Sequence, residues 1–190
     1  MQYSSTRDDR IRVSAAQAIS RGISPEGGLF VPTELPAVNE DFLRALLPLS
    51  YSERAKRILP LFLTDFTPEE IAACADSAYG AQFDTPAIAP LRELGDGVHM
   101  LELWHGPTCA FKDMALQILP HFMRTAVQKA APGEKIVILV TTSGDTGKAA
   151  LEGFKNVPDT KILVFYPSEG VSEMQRLQMV TQEGDNVGVC

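Results

Sequence analysis

The sequence lacks the features that mark nucleic-acid-binding and membrane proteins. It has no Lys/Arg-rich run, and its 24 acidic residues outnumber its 17 basic ones, for a formal charge of −7. We therefore expect no nucleic-acid partner. The first ten residues are polar and charged, with no signal-peptide core or lipidation motif, and no apolar run is long enough to span a bilayer. A cytoplasmic protein without a membrane partner is expected.

Paired cysteines are also missing. Cys74, Cys109 and Cys190 are few, odd in number and widely separated, and no C-x-x-C pair is present. This pattern argues against a disulfide framework and against a zinc site. We expect reduced thiols and no metal.

Two common nucleotide-binding motifs are absent. A P-loop needs four residues between its first glycine and the Gly-Lys-Ser/Thr, but only Asp145 and Thr146 separate Gly144 from Gly147, and Ala149 follows Lys148. No G-x-G-x-x-G follows any predicted strand, so the dinucleotide-binding fingerprint is absent as well.

The chain does have enough apolar residues for a core, since 45% of its 190 residues are hydrophobic. Its first part is mainly helical by pattern. Residues 41–63 have apolar positions at helical spacing, interrupted by prolines, and Thr67 with Glu70 forms a capping-box pattern that opens a helix ending near Gly80. We predict a mainly helical N-terminal unit over residues 1–82.

The second part, residues 83–190, has a different texture. An extended run is predicted at 98–104 and a helix at 114–130, kinked by Pro120. Nearly continuous apolar strands at 135–140, 161–166 and 187–189 alternate with helices at 146–155 and 172–181. This alternation is typical of α/β proteins in which a parallel sheet is covered by helices on both faces. We predict the start of a three-layer parallel-sheet domain. Because the chain stops just after the third strand, we expect the sheet to be incomplete and the chain to be a fragment.

The first candidate site segment is Glu102-Leu-Trp-His-Gly-Pro-Thr-Cys-Ala-Phe-Lys-Asp113, between an extended run and a helix. Open α/β sheets bind ligands at such strand-to-helix junctions. Lys112, near a helix N-terminus, would have its charged form disfavoured, as a nucleophilic amine requires. The alternative is a solvated surface lysine.

The second segment is Thr141-Thr-Ser-Gly-Asp-Thr-Gly-Lys-Ala-Ala150, directly after the most hydrophobic strand. Its small residues expose backbone N–H groups at a helix N-terminus, which suits a phosphate or carboxylate. The alternative is an ordinary turn in which Ser143, Asp145 or Thr146 caps the helix.

Together the two segments resemble the threonine synthase family of fold type II pyridoxal-phosphate enzymes. The similarity lies in His105-Gly-Pro-Thr108, Ala110-Phe-Lys-Asp113 and Thr142-Ser-Gly-Asp-Thr-Gly147. The N-terminus is similar to that of the bacterial and fungal type, through Tyr3 with Ser5-Thr-Arg7 and through Pro25-Glu-Gly-Gly-Leu-Phe-Val-Pro32. The resemblance therefore extends from about Tyr3 to the end of the chain.

The resemblance implies a lyase that converts O-phospho-L-homoserine and water to L-threonine and phosphate. Lys112 would carry pyridoxal 5'-phosphate as a Schiff base and move protons. Asp145 would lie near the 3-oxygen of the cofactor. Substrate contacts are implied for the segment Ser143, Gly144, Thr146 and Gly147, which would hold the carboxylate. His105 has two interpretations, a contact with the substrate phosphate or a structural role in its loop.

The sequence departs from the family in a few places. Cys109 and Trp104 stand where an aliphatic residue and Phe are more usual, and the family's later glycine-rich loop for the cofactor phosphate lies outside this sequence. Two alternatives stay open: a threonine-synthase-like phospholyase acting on a different phosphorylated amine, and a non-catalytic phosphate-binding or interaction module. The oligomeric state is left open too.

Overall fold

A computed structural model describes residues 1–142 and 144–190. The chain forms two compact units. The first contains residues 1–77 and 121–134, and the second contains residues 78–120 and 135–190. The predicted boundary after residue 82 stays a prediction. None of the helices in the described residues is both long and apolar enough to cross a membrane.

The first unit is mainly helical, as its pattern predicts. Its secondary structure begins with a two-stranded antiparallel sheet, in which Tyr3 pairs with Pro32. Thr67 and Glu70 form the predicted capping interactions, each accepting a backbone N–H of the other. The elements are β1 (Tyr3–Ser5), α1 (Ala15–Arg21), β2 (Phe30–Pro32), α2 (Glu40–Leu46), α3 (Tyr51–Ile58), a 3-10 turn (Leu59–Leu61), α4 (Pro68–Ala78) and, from residue 121, most of α6 (Leu119–Ala130).

The core of the first unit packs α4 and the preceding turn against α6. The rings of Phe66 and Phe122 meet edge to face at 6.0 Å between centroids, and Cys74 lies within 3.7 Å of the Thr125 hydroxyl. Ala126 is fully buried. The helix α6 is therefore an integral part of the first unit.

In its described residues, the second unit contains a β-hairpin, a parallel sheet and the helices α5, α7 and α8. Its elements are β3 (Leu91–Gly95), β4 (Val98–Leu101), α5 (Asp113–Leu116), β5 (Ile136–Thr141), α7 (Asp145–Phe154), β6 (Thr160–Phe165), α8 (Glu173–Val180) and β7 (Val187–Val189). The sheet is parallel, in the order β5-β6-β7. The prediction of an α/β fold with a parallel sheet is confirmed.

The described helices cover one face of the sheet. Alternate residues of β6, among them Ile162 and Val164, are fully buried with Leu151 of α7 and Met179 of α8. The opposite face is exposed, and it is formed by Val137, Leu139, Leu163 and Phe165. We call these four residues the open sheet face.

Two local predictions were wrong. The extended run ends at Leu101, where β4 closes an antiparallel hairpin with β3 across a Gly-Asp-Gly turn. The helix predicted at 114–130 is not one kinked helix but two, α5 and α6, separated by Gln117 and Ile118. Pro120 lies in the first turn of α6, where its missing N–H has no partner to lose.

Candidate active site

The loop from Gly106 to Lys112 folds back around the Asp113 carboxylate. Asp113 is fully buried, and its two oxygens accept the backbone N–H of Thr108 at 2.9 Å and the Thr108 hydroxyl at 2.7 Å. A Cβ atom at Gly106 would lie 2.5 Å from the Asp113 Oδ2 atom. This position requires glycine, because any side chain would displace the carboxylate that holds the loop. Sequence analysis did not assign a role to Asp113 or Thr108.

Lys112 occupies the N-cap position of α5 and is half-buried. Its Nζ atom lies 4.1 Å from the centroid of the Phe111 ring, a cation–π distance. No salt bridge among the described residues involves the Lys112 amine. Because α5 has only four residues, its dipole is small, so the predicted effect of the helix N-terminus on this amine carries little weight here.

The second segment joins β5 to α7. Gly144 is the N-cap residue of α7, and no side chain in the described part of the chain accepts a hydrogen bond at this cap. The Gly144 N–H donates to the Thr142 hydroxyl at 3.2 Å. The backbone N–H groups of Asp145 and Thr146, in the first turn, have no acceptor within the helix. This arrangement is compatible with anion binding at the start of α7, which stays a prediction. Ser143 lies outside the described residues.

The remaining predicted residues of this segment differ in exposure. Thr146 is exposed, whereas Gly147 is buried and packs so closely that a Cβ atom there would lie 2.9 Å from the Met179 Sδ atom. Gly147 therefore serves close packing of α7, and its contact with substrate stays a prediction. Lys148 pairs with the Gln182 side chain and lies 3.7 Å from the Glu152 carboxylate.

Asp145 is exposed and has a partner that sequence analysis missed. Its Oδ1 atom accepts a hydrogen bond from the Gln175 side-chain amide at 3.2 Å. The Gln175 Oε1 atom in turn accepts from the Ser172 hydroxyl at 3.1 Å. The Ser-x-x-Gln pattern at the start of α8 is a sequence signal for a helix cap, but nothing local in it points to Asp145.

The two segments meet at a cavity of about 210 Å³ at the carboxyl end of β5. Its lining comes from Thr108, Cys109 and Ala110 of the loop and from Asp145, Lys148 and Gln178. Lys112 is not among the lining residues. The structure thus brings together the two segments that the sequence singled out, although they are about 35 residues apart.

His105 precedes the loop and has a carboxylate at each ring nitrogen. Its Nδ1 atom lies 2.6 Å from Asp84 Oδ1, and its Nε2 atom lies 2.8 Å from Glu102 Oε2. These hydrogen bonds, the one to Glu102 first, raise the pKa of His105 above the ordinary histidine value. Burial, with a smaller effect from Arg124, lowers the pKa of His121 in the first unit.

Among residues 1–142 and 144–190, no group of three or more His, Cys, Asp or Glu side chains is arranged to hold a metal ion. The second unit thus has a parallel sheet with two loops lining one cavity at the carboxyl end of a strand, which is where open α/β sheets bind ligands.

The chain is similar to threonine synthases and to threonine synthase-like proteins. Residues 2–79 match the family described as threonine synthase N terminus. The chain is 38% identical to threonine synthase of Pseudomonas aeruginosa, over 98% of this chain and 39% of that protein, and 37% identical to threonine synthase-like 2 of Mus musculus, over 100% and 39%. A crystal structure of pyridoxal-phosphate-bound threonine synthase from Brucella melitensis superposes with a TM-score of 0.90 at 35% identity, covering 100% of this chain and 40% of that one.

The resemblance to the threonine synthase family is therefore confirmed. The chain is similar from end to end to the N-terminal part of these proteins, and it spans about two fifths of the length of the relatives it matches.

Proposed function

We propose that this chain is the N-terminal part of a pyridoxal-phosphate-dependent lyase of the threonine synthase type, which converts O-phospho-L-homoserine and water to L-threonine and phosphate. The observation that carries the proposal is the cavity lined jointly by residues 108–110 of the lysine loop and by Asp145 and Lys148 of the α7 turn. The end-to-end similarity to threonine synthases supports it.

Lys112 would hold the cofactor. The Lys112 side chain is half-buried, and its amine lies 4.1 Å from the centroid of the Phe111 ring and forms no salt bridge among the described residues, so it is available for covalent attachment. The bound cofactor supplies an electron sink for carbanion chemistry. Asp145, an exposed carboxylate at the cavity, would lie near the cofactor 3-oxygen; the ligands of the cofactor phosphate are not assigned to this sequence.

The α7 turn would bind the substrate carboxylate. Ser143, Gly144, Thr146 and Gly147 are the proposed residues of this contact. The absence of a side-chain cap at Gly144, among the described residues, supports the idea, because N–H groups in the first turn of a ten-residue helix attract anions. Thr146, exposed in that first turn, would add a hydroxyl donor.

Proton transfer is proposed for the Lys112 amine, which acts as base and acid when substrate occupies the site. A lysine performs this role best when its position is fixed. The buried Asp113 carboxylate, adjacent in sequence and bonded to Thr108, supplies that rigidity. For His105, the substrate-phosphate interpretation is the weaker of its two, because both ring nitrogens already have partners.

A threonine-synthase-like phospholyase acting on another phosphorylated amine remains the second candidate. The identity to threonine synthase-like 2 of Mus musculus, 37%, nearly equals that to the Pseudomonas aeruginosa threonine synthase, 38%. Sequence identity therefore does not distinguish O-phosphohomoserine from another phosphorylated amine as the substrate, and an activity assay decides between them.

The test uses the longest natural product of the gene, loaded with cofactor. Reduce it with borohydride, digest it, and locate the pyridoxyl group by mass spectrometry. We expect the label on Lys112; Lys148, which lines the cavity, is the matched alternative. Phosphate release from O-phosphohomoserine, with threonine as the product, is expected from the wild type and lost in Lys112→Ala. A label on Lys148 alone, or phosphate release without threonine, would contradict the proposal.

A further inference from the structure

The segment before the lysine loop contains a compact group of charged side chains. His105 and Glu102 are 15% and 13% exposed, so their contact is shielded from water. Asp84 faces the other ring nitrogen, and its backbone N–H donates to the His105 carbonyl oxygen at 3.0 Å. The second oxygen of Glu102 lies 3.3 Å from Arg92 Nε on β3. The Trp104 ring lies beside the imidazole, with 5.6 Å between the centroids.

The geometry determines the protonation state of the imidazole. Ionised carboxylates only accept hydrogen bonds, so two of them at 2.6 and 2.8 Å require an N–H on both ring nitrogens. Only the imidazolium has both. Two negative groups then balance two positive ones, His105 and Arg92, and a neutral imidazole would lose one of its two hydrogen bonds.

This group lies at the start of the loop that ends in Lys112. His105 is followed directly by Gly106, whose backbone packs on the Asp113 carboxylate. The loop is therefore held at both ends, by the charged His105 group at its beginning and by Asp113 at its end. Lys112 lies one residue before the second anchor.

We propose that His105 is a positioning residue, held as an imidazolium between Asp84 and Glu102, and that this charged clamp fixes the loop that carries Lys112. The assignment to catalysis rests on the function proposed above. The clamp itself is a property of this chain and does not require cofactor.

The clamp has a defined pH dependence. Both carboxylates raise the pKa of His105, so the folded state favours its protonated form. The contribution is therefore complete below the ordinary histidine pKa of about 6.5, and it is lost as the pH rises through the raised value. Asp84 and Glu102 face the ring directly, and Arg92 acts through Glu102.

The first test is a pH titration of the 190-residue chain by NMR, with ¹⁵N-labelled histidine and backbone. We expect N–H signals from both ring nitrogens of His105 at pH 7, a midpoint above that of His121, and the amides of residues 106–112 shifting with the His105 midpoint. Glu102→Gln should move the His105 and loop midpoints together to lower pH. Glu93→Gln, the same change at an exposed site on β3, should move neither.

The wild-type titration decides the proposal even if a variant fails to fold. A single neutral tautomer of His105 at pH 7, or loop amides that do not follow its midpoint, overturns the clamp. Unchanged His99 and His121 signals in Glu102→Gln serve as the folding control.

A second test separates the clamp from the proposed function. In the complete, cofactor-loaded enzyme, Glu102→Gln should shift the alkaline limb of the kcat/KM profile to lower pH and leave the acid limb in place, and Glu93→Gln should shift neither. If the alkaline limb of the kcat/KM profile does not move in Glu102→Gln, His105 is not a positioning residue. A pyridoxyl label absent from Lys112 contradicts the proposed function, while the NMR result still decides the clamp.

Discussion

At the scale of single residues, the fully buried Asp113 carboxylate needs hydrogen-bond donors to offset the loss of its hydration. It is held by one residue, Thr108, through the backbone N–H and the hydroxyl. Because both oxygens of the buried carboxylate accept hydrogen bonds, the carboxylate stabilises the loop. Without these donors, burying the carboxylate would lower the free energy of unfolding. The pairing of Asp113 with Thr108 thus contributes to the rigidity of the loop beside Lys112.

Asp113→Asn should destabilise the chain. The remaining oxygen can still accept the Thr108 N–H, and the new NH₂ group can only donate to the Thr108 hydroxyl, so two buried hydrogen bonds to a charged acceptor are replaced by weaker neutral ones. We expect a loss of about 1–3 kcal/mol in the free energy of unfolding, measured by urea denaturation. Asp145→Asn, the same change at an exposed site, should stay within about 0.5 kcal/mol. Equal effects would show that the Asp113 interaction contributes little.

Thr146→Val should weaken catalysis and leave cofactor binding unchanged. If the Thr146 hydroxyl bonds the substrate carboxylate, its removal costs roughly 1.5–3 kcal/mol, or about ten- to a hundredfold in kcat/KM. The complete enzyme is assayed for kcat/KM with O-phosphohomoserine and for the cofactor Kd. Thr181→Val, which removes a hydroxyl that donates to the Leu177 carbonyl, is the control. A large rise in cofactor Kd would assign the turn to the cofactor phosphate instead.

At the scale of secondary structure, α5 and α7 approach each other unusually closely. Gly153, in the last turn of α7, faces the backbone of α5, and a Cβ atom there would overlap the Leu116 carbonyl oxygen. A backbone atom cannot rotate away as a side chain can. The contact fixes α5, and with it the helix that begins just after Lys112.

Gly153→Ala should therefore destabilise the chain, although alanine has a higher helix propensity than glycine. Propensity alone predicts a gain of about 1 kcal/mol from this change. Overpacking against α5 should cost about 1–3 kcal/mol, so we expect a net loss of up to about 2 kcal/mol in thermal or urea unfolding. Glu152→Ala, at the preceding half-buried position, should have a small effect. A more stable Gly153→Ala would show that α5 moves freely.

The sequence predicted some elements well, for physical reasons. The strands β5 and β6 were predicted to within one residue, because long apolar runs bounded by turn residues leave few alternatives. The hairpin strand β3 was missed because every residue from Leu91 to Leu101 is exposed, so no burial pattern exists to detect. The break between α5 and α6 was missed because the helical period of apolar residues continues across Gln117 and Ile118.

The site was predictable in its segments but not in its contacts. The lysine loop and the α7 turn were recognised from local composition. The pairs Asp113–Thr108 and Asp145–Gln175 depend on how the chain folds back, and Gln175 reaches Asp145 only because α8 returns beside the start of α7. Such non-local contacts leave no periodic signal in a single sequence.

At the scale of the whole molecule, the open sheet face is an exposed apolar surface of the second unit. Leu139 and Leu163 are in register on neighbouring strands, and their exposed fractions are 68% and 37%. A contiguous apolar face of this kind promotes association.

We expect the 190-residue chain to bind a hydrophobic dye and to self-associate through this face. Leu139→Lys should reduce dye fluorescence and light scattering without loss of folding, because the side chain is already in solvent. Leu35→Lys changes an exposed leucine of the first unit, outside the open sheet face, and should have little effect. If the two variants behave alike, association does not depend on the open sheet face.

Because most of α6 belongs to the first unit, the order in which the chain leaves the ribosome affects when this unit can fold. Phe122 and Ala126 complete a core whose other members precede residue 78. The ribosome must therefore release residues 78–120, which belong to the other unit, before the first unit can close its core. Residues 1–77 alone cannot complete the first unit, which can close only once residue 134 has been released, still ahead of residues 135–190 of its neighbour. A nascent chain halted before residue 121 would expose Phe66 without its partner, a state that invites chaperone binding.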